Sequence, residues 1–113
     1  MSAITTHVLD TSVGRPAAGV RVALSTTDNG SWINLGAGAT DADGRARDLL
    51  PADHKLSAGT YKLTFETRDY FRARGVDSFF PRVDIIFSVL ETTQHFHVPL
   101  LLSPYSYSTY RGT

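Results

Sequence analysis

The segment TYKLTFET, residues 60–67, alternates without a break: Tyr61, Leu63 and Phe65 fall on one side, Lys62, Thr64 and Glu66 on the other. A period of two belongs to a strand with one buried face, because helical winding would scatter these apolar residues around the axis. GVRVALSTT repeats the pattern, with Val20, Val22 and Leu24 opposed by Arg21 and Ala23. A chain built this way must bury one face of each sheet, and the economical solution is a sheet packed on a sheet.

The remaining segments extend this reading. AITTHVLDT, at residues 3–11, is a short β-rich run, and SWINLGAG returns after the hairpin signal DNG. TDADGR is a tight turn, and PADHKLSAG is a loop. RDYFRARG has helical spacing, with Tyr70 and Phe71 inward, arginines outward and Gly75 as the stop. FFPRVDIIFSVL becomes a strand after Pro81, and TTQHFHVPLLL and PYSYSTY complete the set. Seven or eight short strands and one short helix predict an all-β, antiparallel sandwich forming a single domain over residues 1–113.

Composition narrows the function classes. Eleven basic and eleven acidic residues cancel, which excludes the basic stripe of a nucleic-acid binder. There is no cysteine, so disulfide and thiolate chemistry are excluded and a reducing compartment is suited. MSAITTHVLD lacks a basic segment followed by an apolar run, and IIFSVL and VPLLL are too short to span a bilayer. The expectation is a soluble cytoplasmic protein without a membrane partner.

Four histidines are present, at 7, 54, 95 and 97. His54 lies in a polar loop and reads as solvated. His95 and His97 are two apart on a strand, so they share a face, with Phe96 and Val98 on the other. His7 shares its face with Thr5 and Leu9. Three accounts fit: polar residues on a wet face, a His-x-His zinc site, or metal-free acid–base catalysis by imidazoles that titrate near neutrality. No acidic or cysteine cluster supports the zinc account. Arg45, after TDADG, offers a planar cationic fork for an anionic or carbonyl-rich ligand. Tyr110 alternates away from Tyr105 and Tyr107. Phosphate loops, dinucleotide fingerprints, nucleophile elbows and H-E-x-x-H are absent.

THVLDTSVGRPAAGVRVAL, TDADGR, AGTYKLTFET with RDYF, FFPRVDIIF and QHFHVPLLLSPYSYSTYRGT, in that order, make the chain resemble the transthyretin-like family over nearly its whole length. A Tyr-Arg-Gly-Ser terminus marks that family's hydrolase branch; here the tail is YRGT, so Thr113 replaces the serine but keeps a hydroxyl. The resemblance implies a prealbumin-like sandwich of two four-stranded sheets and one short helix. It implies a homotetramer, a dimer of dimers, with sites where subunits meet. It implies hydrolysis of 5-hydroxyisourate to 2-oxo-4-hydroxy-4-carboxy-5-ureidoimidazoline without a cofactor or metal. By the same resemblance His7, Arg45, Tyr110 and Arg111 bind substrate, and His7, His97, Arg45 and Thr113 carry catalysis. One histidine deprotonates water while the other orients it or protonates the leaving nitrogen; which does which stays open. A non-catalytic small-ligand carrier and a surface interaction module are the alternatives, and neither needs the histidines or the tail.

Overall fold

The computed structural model describes residues 2–113. The strands are β1 (Ile4–Asp10), β2 (Arg15–Pro16), β3 (Arg21–Asp28), β4 (Ser31–Ala39), β5 (Arg45–Ala46) and β6 (Gly59–Phe65), then β7 (Val83–Val89), β8 (Phe96–His97), β9 (Leu100–Leu102) and β10 (Tyr107–Thr109). Among the described residues one helix, α1 (Thr67–Arg72), joins β6 to β7 and buries Tyr70 and Phe71 as the spacing predicts. The strand expected over PYSYSTY is confined to residues 107–109, because Ser103 and Ser106 close a turn through their side chains and Tyr105 stands on it.

One sheet runs β4-β3-β6-β7 and is antiparallel throughout. The other has the path β10-β9-β1-β2, with β5 and β8 also paired to β1. Its core path has the expected four strands, but β1 meets β8 and β9 in parallel. The chain leaves this sheet to build β6, α1 and β7, then re-enters alongside β1 in the same direction. Pro99, which has no backbone N–H to donate, separates β8 from β9 along that edge.

The core lies between the two layers. Ile4, Val8, Phe96, Leu100 and Leu102 from one sheet meet Val22, Leu24, Leu63, Phe65 and Val83 from the other. Each such side chain, fully buried, is worth about 1.5–3 kcal/mol relative to exposure, so the alternation in the sequence is the main driving force for the sandwich. Asp10, buried at the end of β1, accepts a hydrogen bond from the Tyr70 hydroxyl at 2.8 Å and ties α1 to this layer. Burial, then the adjacent Asp10 carboxylate, pushes the Tyr70 phenol up to about 12.

A bulge departs from simple alternation. β3 and β4 pair as Ser25 with Asn34 but Leu24 with Gly36, leaving Leu35 as the extra residue. Gly36 thereby faces inward opposite the fully buried Leu24. A side chain there would strike the Leu49 carbonyl, which lies 1.8 Å from where its Cβ would stand. Gly38 has room: the nearest atom is a Leu49 methyl carbon at 3.7 Å. Gly36→Ala is therefore expected to lose about 1–3 kcal/mol, and Gly38→Ala to stay within about 1 kcal/mol of the parent. Urea unfolding of the two variants checks this, and equal midpoints would refute it.

Candidate active site

The site is assembled on β1. Alternation puts Thr5 and His7 on the face opposite Ile4 and Val8. On one edge of β1, His7 pairs with Arg45; on the other, Thr5 pairs with His97. Two short flanking strands thus bring an arginine and a histidine to either side of one strand.

The TDADGR turn fixes the Arg45 side. The Asp41 carboxylate accepts from the backbone N–H groups of Asp43 at 2.9 Å and Arg45 at 3.0 Å. Those bonds, led by that from Arg45, hold the Asp41 carboxyl below its usual range. Gly44 adopts φ +79°, and a Cβ there would sit 2.4 Å from the Val8 carbonyl oxygen, so the turn demands glycine. The same turn presents the Asp43 carbonyl to His7, whose Nε2–H donates to it at 2.9 Å.

The His97 side is fixed by Thr5 and by the tail. The Thr5 hydroxyl lies 2.8 Å from His97 Nδ1 and 3.1 Å from His95 Nε2. The two imidazoles stack at 6.4 Å with an 18° interplanar angle, on one face as the spacing predicts. The Gly112 N–H donates to the His97 carbonyl at 2.7 Å, and a Cβ on Gly112 would lie 2.7 Å from His97 Cδ2. The tail can therefore lie against the ring only as glycine. Burial first, then the charges of Arg45, His95 and His7, lowers the His97 pKa below the ordinary imidazole value. At neutral pH His97 is thus an uncharged base.

Arg45, Arg47, His95, His97, Thr5 and Thr113 line one cleft of about 320 Å³. Two guanidiniums, with no aspartate or glutamate side chain in the lining, favour an anionic or carbonyl-rich occupant. Of the residues expected from sequence, Arg45, His97 and Thr113 meet here, and His7 stands beside Arg45 with its ring turned to Asp43. Tyr110 and Arg111 do not reach this cleft within the chain. Tyr110 lines a separate apolar hollow with Ile86 and Phe87, while Arg111 donates to Gln94 and lies over the Phe96 ring. Sequence reasoning did not single out Thr5 or Arg47 and left His95 as a neighbour. The available signal was Thr5 sharing a face with His7, and His95 sharing one with His97. Among the described residues, no group of three or more His, Cys, Asp or Glu is placed to hold a metal ion. No described helix is long and apolar enough to cross a membrane.

A family model described as the HIUase/Transthyretin family matches residues 4–112. The chain belongs to this family. It is 47% identical over 114 residues to the 5-hydroxyisourate hydrolase of Mus musculus, covering 99% of this chain and 96% of the mouse protein. The 5-hydroxyisourate hydrolase of Klebsiella pneumoniae has a solved structure that is 42% identical, with TM-score 0.86 and full coverage of both chains. Sea bream transthyretin in complex with thyroxine superposes with TM-score 0.91 at 31% identity, over 98% of this chain and 95% of that one. These likenesses establish the transthyretin-like sandwich.

The depressed His97 pKa has a checkable sign. In an NMR titration its ring resonances are expected to move with a midpoint below 6.5, the ordinary value. Arg45→Gln should raise that midpoint by removing a nearby positive charge. A His97 midpoint at or above the ordinary value would contradict its burial, and one unmoved by Arg45→Gln would contradict the placement of the guanidinium.

Proposed function

We propose that this family member hydrolyses 5-hydroxyisourate to 2-oxo-4-hydroxy-4-carboxy-5-ureidoimidazoline in urate degradation. The carrying observation is His97: neutral, with Nδ1 engaged by Thr5, in one cleft with Arg45, Arg47 and Thr113. The mouse and Klebsiella relatives bear that activity in their names. The fold alone does not separate a hydrolase from a carrier, since the sea bream protein shares it. A cleft that joins a neutral imidazole to two guanidiniums supports the hydrolase reading.

The substrate is small, flat and rich in carbonyls. His97 Nε2 takes a proton from water as its oxygen attacks a carbonyl carbon of the six-membered ring. The carbonyl oxygen gains negative charge, which Arg45 and the Thr113 hydroxyl stabilise. One such fixed donor is worth about 3–4 kcal/mol in a water-excluded site. The C–N bond then breaks, and the departing nitrogen takes the proton from His97. The product carries a new carboxylate, which the guanidiniums also accommodate. His7 has its Nε2–H committed to Asp43, which leaves its Nδ1 as an acceptor. We thus assign the base role to His97 and the orienting role to His7.

The working form in this proposal is a homotetramer, a dimer of dimers, with sites at the subunit interface. In support, Ile86 on the outer face of β7 is 59% exposed, and the adjoining hollow of about 320 Å³ is lined by Phe87, Thr109 and Tyr110. Tyr110 and Arg111 would act from that interface. The absence of cysteine accords with the cytoplasm as the working compartment.

Ultraviolet decay of 5-hydroxyisourate, generated by urate oxidase, tests the activity. The protein should accelerate decay beyond the spontaneous rate and be indifferent to a strong chelator. His97→Ala should lower kcat by about 10²- to 10⁴-fold, the usual range for loss of a general base. Decay at the spontaneous rate would sink the hydrolase reading. For the assembly, sedimentation of the parent should give a tetramer that Ile86→Asp dissociates; a monomeric parent would remove it.

A further inference from the structure

The Thr5 hydroxyl touches two imidazole nitrogens, His97 Nδ1 at 2.8 Å and His95 Nε2 at 3.1 Å, and it is 3% exposed. A hydroxyl has one proton to give. If it donates to one nitrogen, it can only accept from the other. With both rings neutral, two arrangements remain. In the first, His97 carries its proton on Nδ1 and donates to Thr5, which donates to His95 Nε2. In the second, His95 donates from Nε2 to Thr5, which donates to His97 Nδ1, and the His97 proton moves to Nε2. The two rings therefore share a tautomer: both Nδ1–H or both Nε2–H.

Only the first arrangement leaves a lone pair on His97 Nε2. Among the described residues, no side-chain hydrogen bond engages that nitrogen. The cleft it shares carries the Arg45 and Arg47 guanidiniums, and positive neighbours favour a lone pair over an N–H. A free imidazole in water leans the other way, towards Nε2–H. We infer that Thr5 is a positioning residue: its hydroxyl, with His95 as the acceptor behind it, fixes His97 as the Nδ1–H tautomer and so keeps Nε2 open to the water. The inference rests on the hydrolase reading for its consequence in catalysis. Thr5 itself does not touch the reacting atoms, and His95 acts only through Thr5. Gly112, packed on His97 Cδ2, holds the ring against rotation while the hydroxyl sets where its proton sits.

The test combines imidazole ¹⁵N spectra with kinetics on the full chain. In the parent, His97 and His95 are both expected as Nδ1–H when both rings are neutral. Thr5→Val keeps the shape and removes the hydroxyl. It should shift His97 towards Nε2–H and lower kcat about 10- to 100-fold at nearly unchanged KM, the order of effect seen when a hydrogen-bonded partner that fixes a functional imidazole is lost. Thr5→Ser should restore both the tautomer and kcat. His95→Phe should shift the His97 signal in the same direction as Thr5→Val. An Nε2–H signal for His97 in the parent overturns the inference. So does a Thr5→Val protein with full kcat, or one slowed with its His97 tautomer unchanged. Should Thr5→Val fail to fold, the parent spectra and Thr5→Ser still decide. A parent that does not hydrolyse 5-hydroxyisourate fails the activity assay instead, and its spectra judge the tautomer independently.

Discussion

Everything at the cleft depends on the register of β1. Four strands pair with this one segment: β5 and β2 along one edge, β8 and β9 along the other. Its inner face is Ile4, Thr6 and Val8, all fully buried, with the Thr6 hydroxyl donating to the Val98 carbonyl at 2.6 Å. A slip of one residue would turn Thr5 and His7 into the core and expose Ile4 and Val8. The hydrophobic penalty for that slip is what keeps the cleft-facing side of β1 in place. Stability and chemistry are therefore carried by alternate residues of the same seven-residue strand.

The three imidazoles nearest the cleft differ in their partners. His7 is committed through Nε2 to a backbone carbonyl in the Arg45 turn, and so is oriented by the loop that carries the cation. His97 is flanked by a hydroxyl on one side and by the tail glycine on the other. His95 is exposed, lines the cleft at its edge and touches the Thr5 hydroxyl. Burial first, and then the Arg45 guanidinium, lowers the His97 pKa and favours its neutral form; in the proposed reaction the same guanidinium meets the charge that the base creates.

Much of this was legible in the sequence. The period of two marks Tyr61, Leu63 and Phe65 as one face, and all three are buried. The 68–75 spacing marks Tyr70 and Phe71 as the inner side of the short helix. The shared face of His95 and His97 follows from their spacing alone. Parallel pairing of β1 with β8 and β9 was not legible, because alternation says which face is buried and nothing about which strand lies alongside. The bulge at Leu35 was hidden as well: the need for glycine beside it comes from the Leu49 backbone, which only the tertiary fold brings there. Thr5 looked like any strand threonine, since its role exists only once residues ninety positions away arrive. The tail's chemistry came from resemblance, and the structure divides it: Gly112 and Thr113 stay with His97, while Tyr110 and Arg111 turn towards β7 and Phe96.

The parallel edge of β1 also sets an order of events during synthesis. The sheet β4-β3-β6-β7 is complete once residue 89 has emerged. β1, by contrast, waits for residues 96–102 before that edge is covered. Until then its backbone groups on that side are satisfied by water or by the wrong partner, and long-range pairing of this kind is slow and open to aggregation. His97 and Thr5 come together in the same late step. A ribosome-bound chain can thus own half a sandwich and none of the cleft that Thr5 and His97 form.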